Sequence, residues 1–177
     1  MSHHIIVTEN ISRYSRNVIE INPFDKDNLK MLKEYDTKNK TTYSKYALDS
    51  IKNSDKEKYE LEKLVFPVFK GIYCNYDSDG INNVCIAEYE TDLKIFKVYI
   101  DEKNFEIIQG LCSYAFNNLG MEQFMVLVSS KSKNLINSLC ASEFIPLYDE
   151  NSKEEYIPFI REKEDFNLSE AASVICI

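Results

Sequence analysis

The sequence predicts an α/β fold: a central mixed, mostly antiparallel sheet flanked by helices. Three observations carry that expectation. Between Leu64 and Ile100, three β-type runs are joined by two short turns, the pattern of an antiparallel meander. Asn104–Leu119 then brings apolar residues at helical spacing. Gln123–Ser129 is nearly all apolar in its middle, the mark of a strand covered on both faces. A chain of 177 residues, 44% hydrophobic and 12% aromatic, is long and apolar enough for one ordinary core.

The elements follow in order. Residues 1–16 read as an N-terminal extension with one short apolar run, Ile5–Val7. His3 and His4 lack a third ligand nearby, so no metal site is expected. Asn17–Pro23 is β-type. Asp25 or Asp27 can cap a helix whose apolar positions are Leu29, Met31, Leu32 and Tyr35. Tyr43, Tyr46, Ala47 and Ile51 are spaced for a second helix. Asn53–Lys63 is charged and reads as a solvated face or connector. Leu64–Tyr76, Asn83–Thr91 and Leu93–Ile100 are the strands of the meander, with turns at Asp77–Gly80 and Asp92. The stripe Phe105, Ile108, Leu111, Cys112, Ala115, Phe116 and Leu119 makes a long helix that Gly120 can end. Leu135, Ile136, Leu139 and Cys140 mark a shorter one. Phe144–Tyr148 and Tyr156–Arg161 close the sheet, and residues 164–177 read as a C-terminal tail. One domain, 17–163, is expected between the two extensions.

Bulk properties narrow the function. Twenty-nine acids against 21 bases give a net charge of −8, which argues against a nucleic-acid partner held by phosphate contacts. That charge permits cationic substrates such as amines, and also serves plain solubility. Cys74, Cys85, Cys112, Cys140 and Cys176 form an odd, widely spaced set without a CxxC pair, which reads as buried thiols in a reducing compartment. No signal peptide is evident, and no apolar run approaches the roughly 18 residues of a membrane span. A cytoplasmic location without a membrane partner is expected. The sequence leaves the oligomeric state open.

The order strand, two helices, three-strand meander, long helix, apolar strand, helix, two strands resembles the GNAT superfamily of acyl-CoA-dependent N-acyltransferases over roughly residues 17–163. The resemblance implies acetyl-CoA or a related acyl-CoA as cofactor and a small-molecule or protein amine as acceptor. It places cofactor contacts at Val98 and Ile100 of the third meander strand, at Lys103, Asn104 and Phe105 of the turn after it, and at Asn134. It also implies that the strands Leu93–Ile100 and Gln123–Ser129 splay apart into a cleft. Two family features are altered. Where a [QR]-x-x-G-x-[GA] loop holds pyrophosphate, Lys103 fills the basic position, but Glu106 and Ile108 replace the small residues that let amides approach a phosphate. Near the end of the last helix, Leu139 stands where a proton-donating tyrosine is often found and Glu143 where glycine is, with Phe144 following as expected.

Within that resemblance Glu88, with Glu90 on the same facing, is a candidate general base; the alternative is a solvated strand face. Tyr148 is a candidate acid; the alternative is a tyrosine packing its ring with the hydroxyl in water. The implied activity is transfer of an acetyl group from acetyl-CoA to an amine. The altered loop leaves open a non-catalytic GNAT-like binding or regulatory module that has lost the cofactor.

Overall fold

The computed structural model describes residues 17–101, 105–147 and 155–167. Its elements are β1 (Val18–Glu20), α1 (Lys26–Asn39), α2 (Tyr43–Ser50), α3 (Lys56–Val65), β2 (Val68–Asp77), β3 (Gly80–Glu90), β4 (Ile95–Tyr99), α4 (Ile107–Asn117), β5 (Gln123–Ser129), α5 (Lys133–Ala141), β6 (Ile145–Pro146) and β7 (Tyr156–Glu162). The strands form a 7-stranded sheet in the order β1-β2-β3-β4-β5-β7-β6. Among the described residues, only β4 and β5 run parallel; every other pair is antiparallel. The expected mixed, mostly antiparallel sheet is therefore found.

Strand alternation divides the core in two. Tyr73, Cys85, Phe96, Val98, Phe124, Val126 and Phe159 point to one face, where α4 and α5 bury Leu111, Phe116, Leu135 and Leu139 against them. Ile72, Cys74 and Val84 point the other way, under Leu32 of α1 and Ala47 of α2. The Cα partners Tyr73–Cys85 and Cys74–Val84 thus belong to opposite faces, as a period of two requires.

Local chemistry sets the helix ends. Asp25 caps α1, accepting from the N–H of Asp27 at 2.9 Å and of Asn28 at 3.1 Å. The cap of α2 comes from elsewhere: Thr42 makes no side-chain cap bond, and Asp36 of α1 takes its place. Asp36 accepts from the N–H groups of Tyr43 (2.9 Å) and Ser44 (2.8 Å) and from the hydroxyls of Thr41 and Ser44 (both 2.6 Å). Burial pushes its carboxyl up, but these bonds outweigh that and hold it below the ordinary carboxylate range. After α4, Gly120 takes φ +67, and the Met121 N–H returns to the Ala115 carbonyl at 3.0 Å.

Several expectations are corrected. The charged stretch 53–63 is not a connector: α3 occupies most of it, with Asp55 accepting from the Lys58 N–H at 2.7 Å. Leu64 and Val65 finish that helix, so β2 starts only after Pro67. Beta-branched and aromatic composition favoured a strand there, while helix capping prevailed locally. β5 is not covered equally on both faces; its residues alternate between buried and half-buried. Cys140 is exposed, whereas Cys74, Cys85 and Cys112 are buried. Phe166, assigned to the tail, is buried against Phe116 and Arg161. No helix among the described residues is long and apolar enough to cross a membrane.

Arg161 lies inside the larger cluster at 6% exposure. Its guanidinium sits over the rings of Phe144 and Phe166, its Nη2 reaches Glu143 only at 3.4 Å, and its Nε has no partner. Desolvation of a charge so sparsely paired exceeds what its partners return. Arg161→Met is therefore expected to stabilise the fold by about 1–2 kcal/mol, read as a raised urea midpoint with unchanged slope.

Candidate functional site

The segment that follows β4 borders two cavities. The β3–β4 ladder stops at the partners Ala87–Val98, so Tyr99 has a partner in β5 (Leu127) but none in β3. The Ile100 N–H reaches the Leu127 carbonyl at 3.1 Å, which in a parallel ladder turns the Tyr99 N–H toward the β3 side. The strands that part at this end are β3 and β4. The expected splay between Leu93–Ile100 and Gln123–Ser129 is not found: β4 pairs with β5 along its whole length, and only Val128 and Ser129 run past it.

A pocket of about 400 Å³ opens where β3 and β4 diverge, and Lys70, Glu88, Lys97, Tyr99, Tyr43 and Tyr156 are among its walls. Glu88 and Lys97 are direct cross-strand partners, and their side chains form an ion pair of 3.0 Å. The hydrogen bond to Glu88 raises the Lys97 pKa, so the ammonium persists opposite the carboxylate. Tyr99 and Tyr156 meet edge to face with ring centroids 5.5 Å apart. Burial, with the charge of Asp101 added, raises the hydroxyl pKa of both Tyr35 and Tyr43, keeping them as neutral donors. Cys85 borders the same pocket, where burial raises its thiol pKa and leaves it a poor nucleophile.

The second cavity, about 480 Å³, is bordered by Phe105 to Gly110 at the start of α4, by Leu139, Ser142 and Phe144, and by Asn17, Val18 and Asn75. Glu106, the N-cap of α4, makes no side-chain cap bond. The Asn75 Oδ1 is buried without a hydrogen-bond partner. Glu143, at the position where the family resemblance sets glycine, has φ +70, a conformation that favours glycine. The Phe144 N–H returns to the Leu139 carbonyl at 3.0 Å, and the Phe144 ring packs on Phe124.

The residues singled out in the sequence are distributed as follows. Glu88 lines the first pocket; Glu90 faces the same way but lies opposite Ile95, away from that lining. Val98 is a core side chain with both neighbouring strands paired to it. Ile100 is buried and borders the first pocket, and Phe105 borders the second. Asn134 is exposed in the first turn of α5. Lys103, Asn104, Tyr148, His3, His4 and Cys176 lie outside the described residues. Sequence reasoning missed Lys97, Tyr99 and Asn75. Counting alternation back from the meander turn would have set Lys97 beside Glu88; nothing in the sequence marks Asn75. Among the described residues no cluster of three or more His, Cys, Asp or Glu side chains could hold a metal ion.

No protein-family model matches the chain, and no curated protein matches it in sequence. Among solved structures it is similar to apo FdhC, described as a nucleotide-linked sugar GNAT, with 15% identity over 88% of this chain and 90% of that one and a TM-score of 0.55. It is also similar to mutant forms of the spermidine/spermine N-acetyltransferase SpeG from Vibrio cholerae, with 9% identity over 86% and 98% of the two chains and a TM-score of 0.54.

Proposed function

We propose, for a chain that has the fold of the GNAT acetyltransferases, that it moves an acetyl group from acetyl-CoA to an amine. The observation that supports this most is the pocket beside the end of β4, where Glu88 meets Lys97 at 3.0 Å.

The cofactor fit rests on the second cavity. Its walls at Ile107, Ile108, Leu139 and Phe144 are apolar, and the unpartnered Asn75 Oδ1 is an acceptor that an amide N–H of the pantetheine arm would satisfy. Phe105 would pack along the arm, and the N-terminus of α4 would face the anionic end. Lys103 and Asn104 are proposed as further contacts from the turn, Ile100 from the strand end, and Asn134 from α5; Val98, paired to both neighbouring strands, has no group left for the cofactor. When bound, the cofactor supplies an activated thioester.

The acceptor would enter the Glu88 pocket. Glu88, paired with Lys97 at 3.0 Å, would attract an ammonium group and take its proton, directly or through water. Tyr148 remains the proposed acid; Leu139 cannot serve.

The experiment is a transfer assay with radiolabelled acetyl-CoA and a panel of amines that includes a polyamine and an amino sugar nucleotide, the acceptor classes suggested by SpeG and FdhC. Turnover of one class supports the reading. No transfer to any amine, with no hydrolysis of the thioester, would favour a non-catalytic module.

A further inference from the structure

Three charged side chains form a row across the sheet in the pocket beside β4. Lys70 of β2 is the cross-strand partner of Glu88, and Glu88 is the partner of Lys97 of β4. All three border the pocket. With neighbouring strands about 4.8 Å apart, the carboxylate has a lysine on each flank. Lys97 holds it at 3.0 Å. Lys70 is exposed and forms no ion pair among the described residues. Asp101 is the remaining charged residue of the lining, set near Tyr35 and Tyr43; the hydroxyl pKa of both, raised by burial, is raised further by its charge. Glu90, the next acid along β3, lies outside the lining. Lys70 and Lys97 thus balance Glu88 and Asp101 here, on a chain whose net charge is −8.

We propose that the acceptor is an amine that also carries an anionic group, carboxylate or phosphate, and that Lys70 binds this group while Glu88 receives the amine. On the transferase reading above, on which this rests, Glu88 meets the reacting ammonium. A polyamine would bring further ammonium groups to a carboxylate that already has a lysine on either side, and like charges repel in a partly desolvated cleft. An amine with an anionic group meets a complement at each end: the ammonium at Glu88, the anion at Lys70 one strand away. Lys97 cannot stand in for Lys70, because its ammonium is committed to Glu88 at 3.0 Å. Tyr43, whose raised pKa keeps its hydroxyl neutral, adds a donor that suits either anion. Lys70 therefore attracts one class of amine and repels the other, and selectivity is the difference between the two.

Steady-state transfer from acetyl-CoA to matched acceptors tests this: glucosamine against glucosamine phosphate, alaninamide against alanine, and spermidine beside them. At least one anionic member is expected to exceed its counterpart in kcat/KM by about 10-fold or more. A preference in the glucosamine pair assigns a phosphate, and one in the alanine pair a carboxylate. Lys70→Gln is expected to abolish the preference by raising KM for the anionic member about 10-fold, with kcat within about threefold and KM for the counterpart unchanged. Lys70→Arg, which keeps the charge, should keep the preference. Because Lys70 is exposed, a circular-dichroism melt should find both variants folded, with the wild-type Tm. Equal use of the members of both pairs, a preference for spermidine over both anionic acceptors, or a preference that survives Lys70→Gln would overturn the inference and leave the transferase reading standing. No transfer to any acceptor would overturn both.

Discussion

Glu88→Gln is expected to lower kcat/KM for the amine acceptor by about 100-fold or more, equivalent to about 2.7 kcal/mol of transition-state stabilisation. Glutamine keeps the shape but can neither hold a negative charge nor accept the ammonium proton. It also leaves Lys97 without its 3.0 Å partner, a cation facing the site where a cationic substrate must enter. Both effects act in the same direction. Glu90→Gln supplies the internal control, because Glu90 shares the facing of Glu88 but lies outside the pocket lining. Its rate should stay within about threefold of wild type, less than 1 kcal/mol. Equal losses in the two variants would show a general effect of strand charge and remove Glu88 from the chemistry.

The second large effect concerns the support of the acceptor pocket. Asp36→Ala is expected to cost about 2–4 kcal/mol, because it uncaps α2 and strands the donors that converge on one carboxylate. For a chain of this size the loss should appear as a fall in Tm of roughly 5–15 °C. Tyr43, at the start of α2, lines the pocket, so a loosened cap should also raise KM more than it lowers kcat. The pH dependence follows from the sign of the shift. Asp36 is held below the ordinary carboxylate range when folded, so its contribution is present above that range. It is lost as pH falls through the ordinary range and then through the lower folded value. Glu20 works in the opposite sense: burial raises its pKa, so acidification relieves a cost there. Urea midpoints measured from neutral pH downward should therefore fall more steeply for wild type than for Asp36→Ala. Parallel curves would contradict the role of Asp36.

The elements legible in the sequence were those whose burial imposes a period. The stripe from Ile108 to Phe116 announced α4, and β-branched and aromatic runs broken by two short turns announced the meander. Phe144 could be set against the family pattern because its surroundings are a hydrogen-bonded helix end, and Glu143 shows why glycine is usual before it: the backbone there is left-handed. α3 was missed for the converse reason. It buries only one side, through Tyr59 and Lys63, and its apolar residues Leu61, Leu64 and Val65 face water, so hydrophobic spacing pointed nowhere consistent with a core. The site was legible only in part. Glu88 was identifiable as a carboxylate on the middle strand of the meander, but the pocket beside it depends on where the β3–β4 pairing stops. The exact end of pairing is a tertiary outcome, set by the divergence of two strands whose local compositions are alike.

The most direct measurement is calorimetric titration of the full chain with acetyl-CoA, run beside Asn75→Leu. Saturable one-to-one binding is expected, with stabilisation of ~2.7 kcal/mol once the ligand reaches 100 times its dissociation constant. Affinity should fall by roughly 5–10-fold in Asn75→Leu, whose side chain can no longer accept an amide hydrogen bond in the α4 cavity. No heat and no shift in Tm at millimolar acetyl-CoA would contradict an acetyl-CoA-dependent transferase and leave the GNAT fold serving another role.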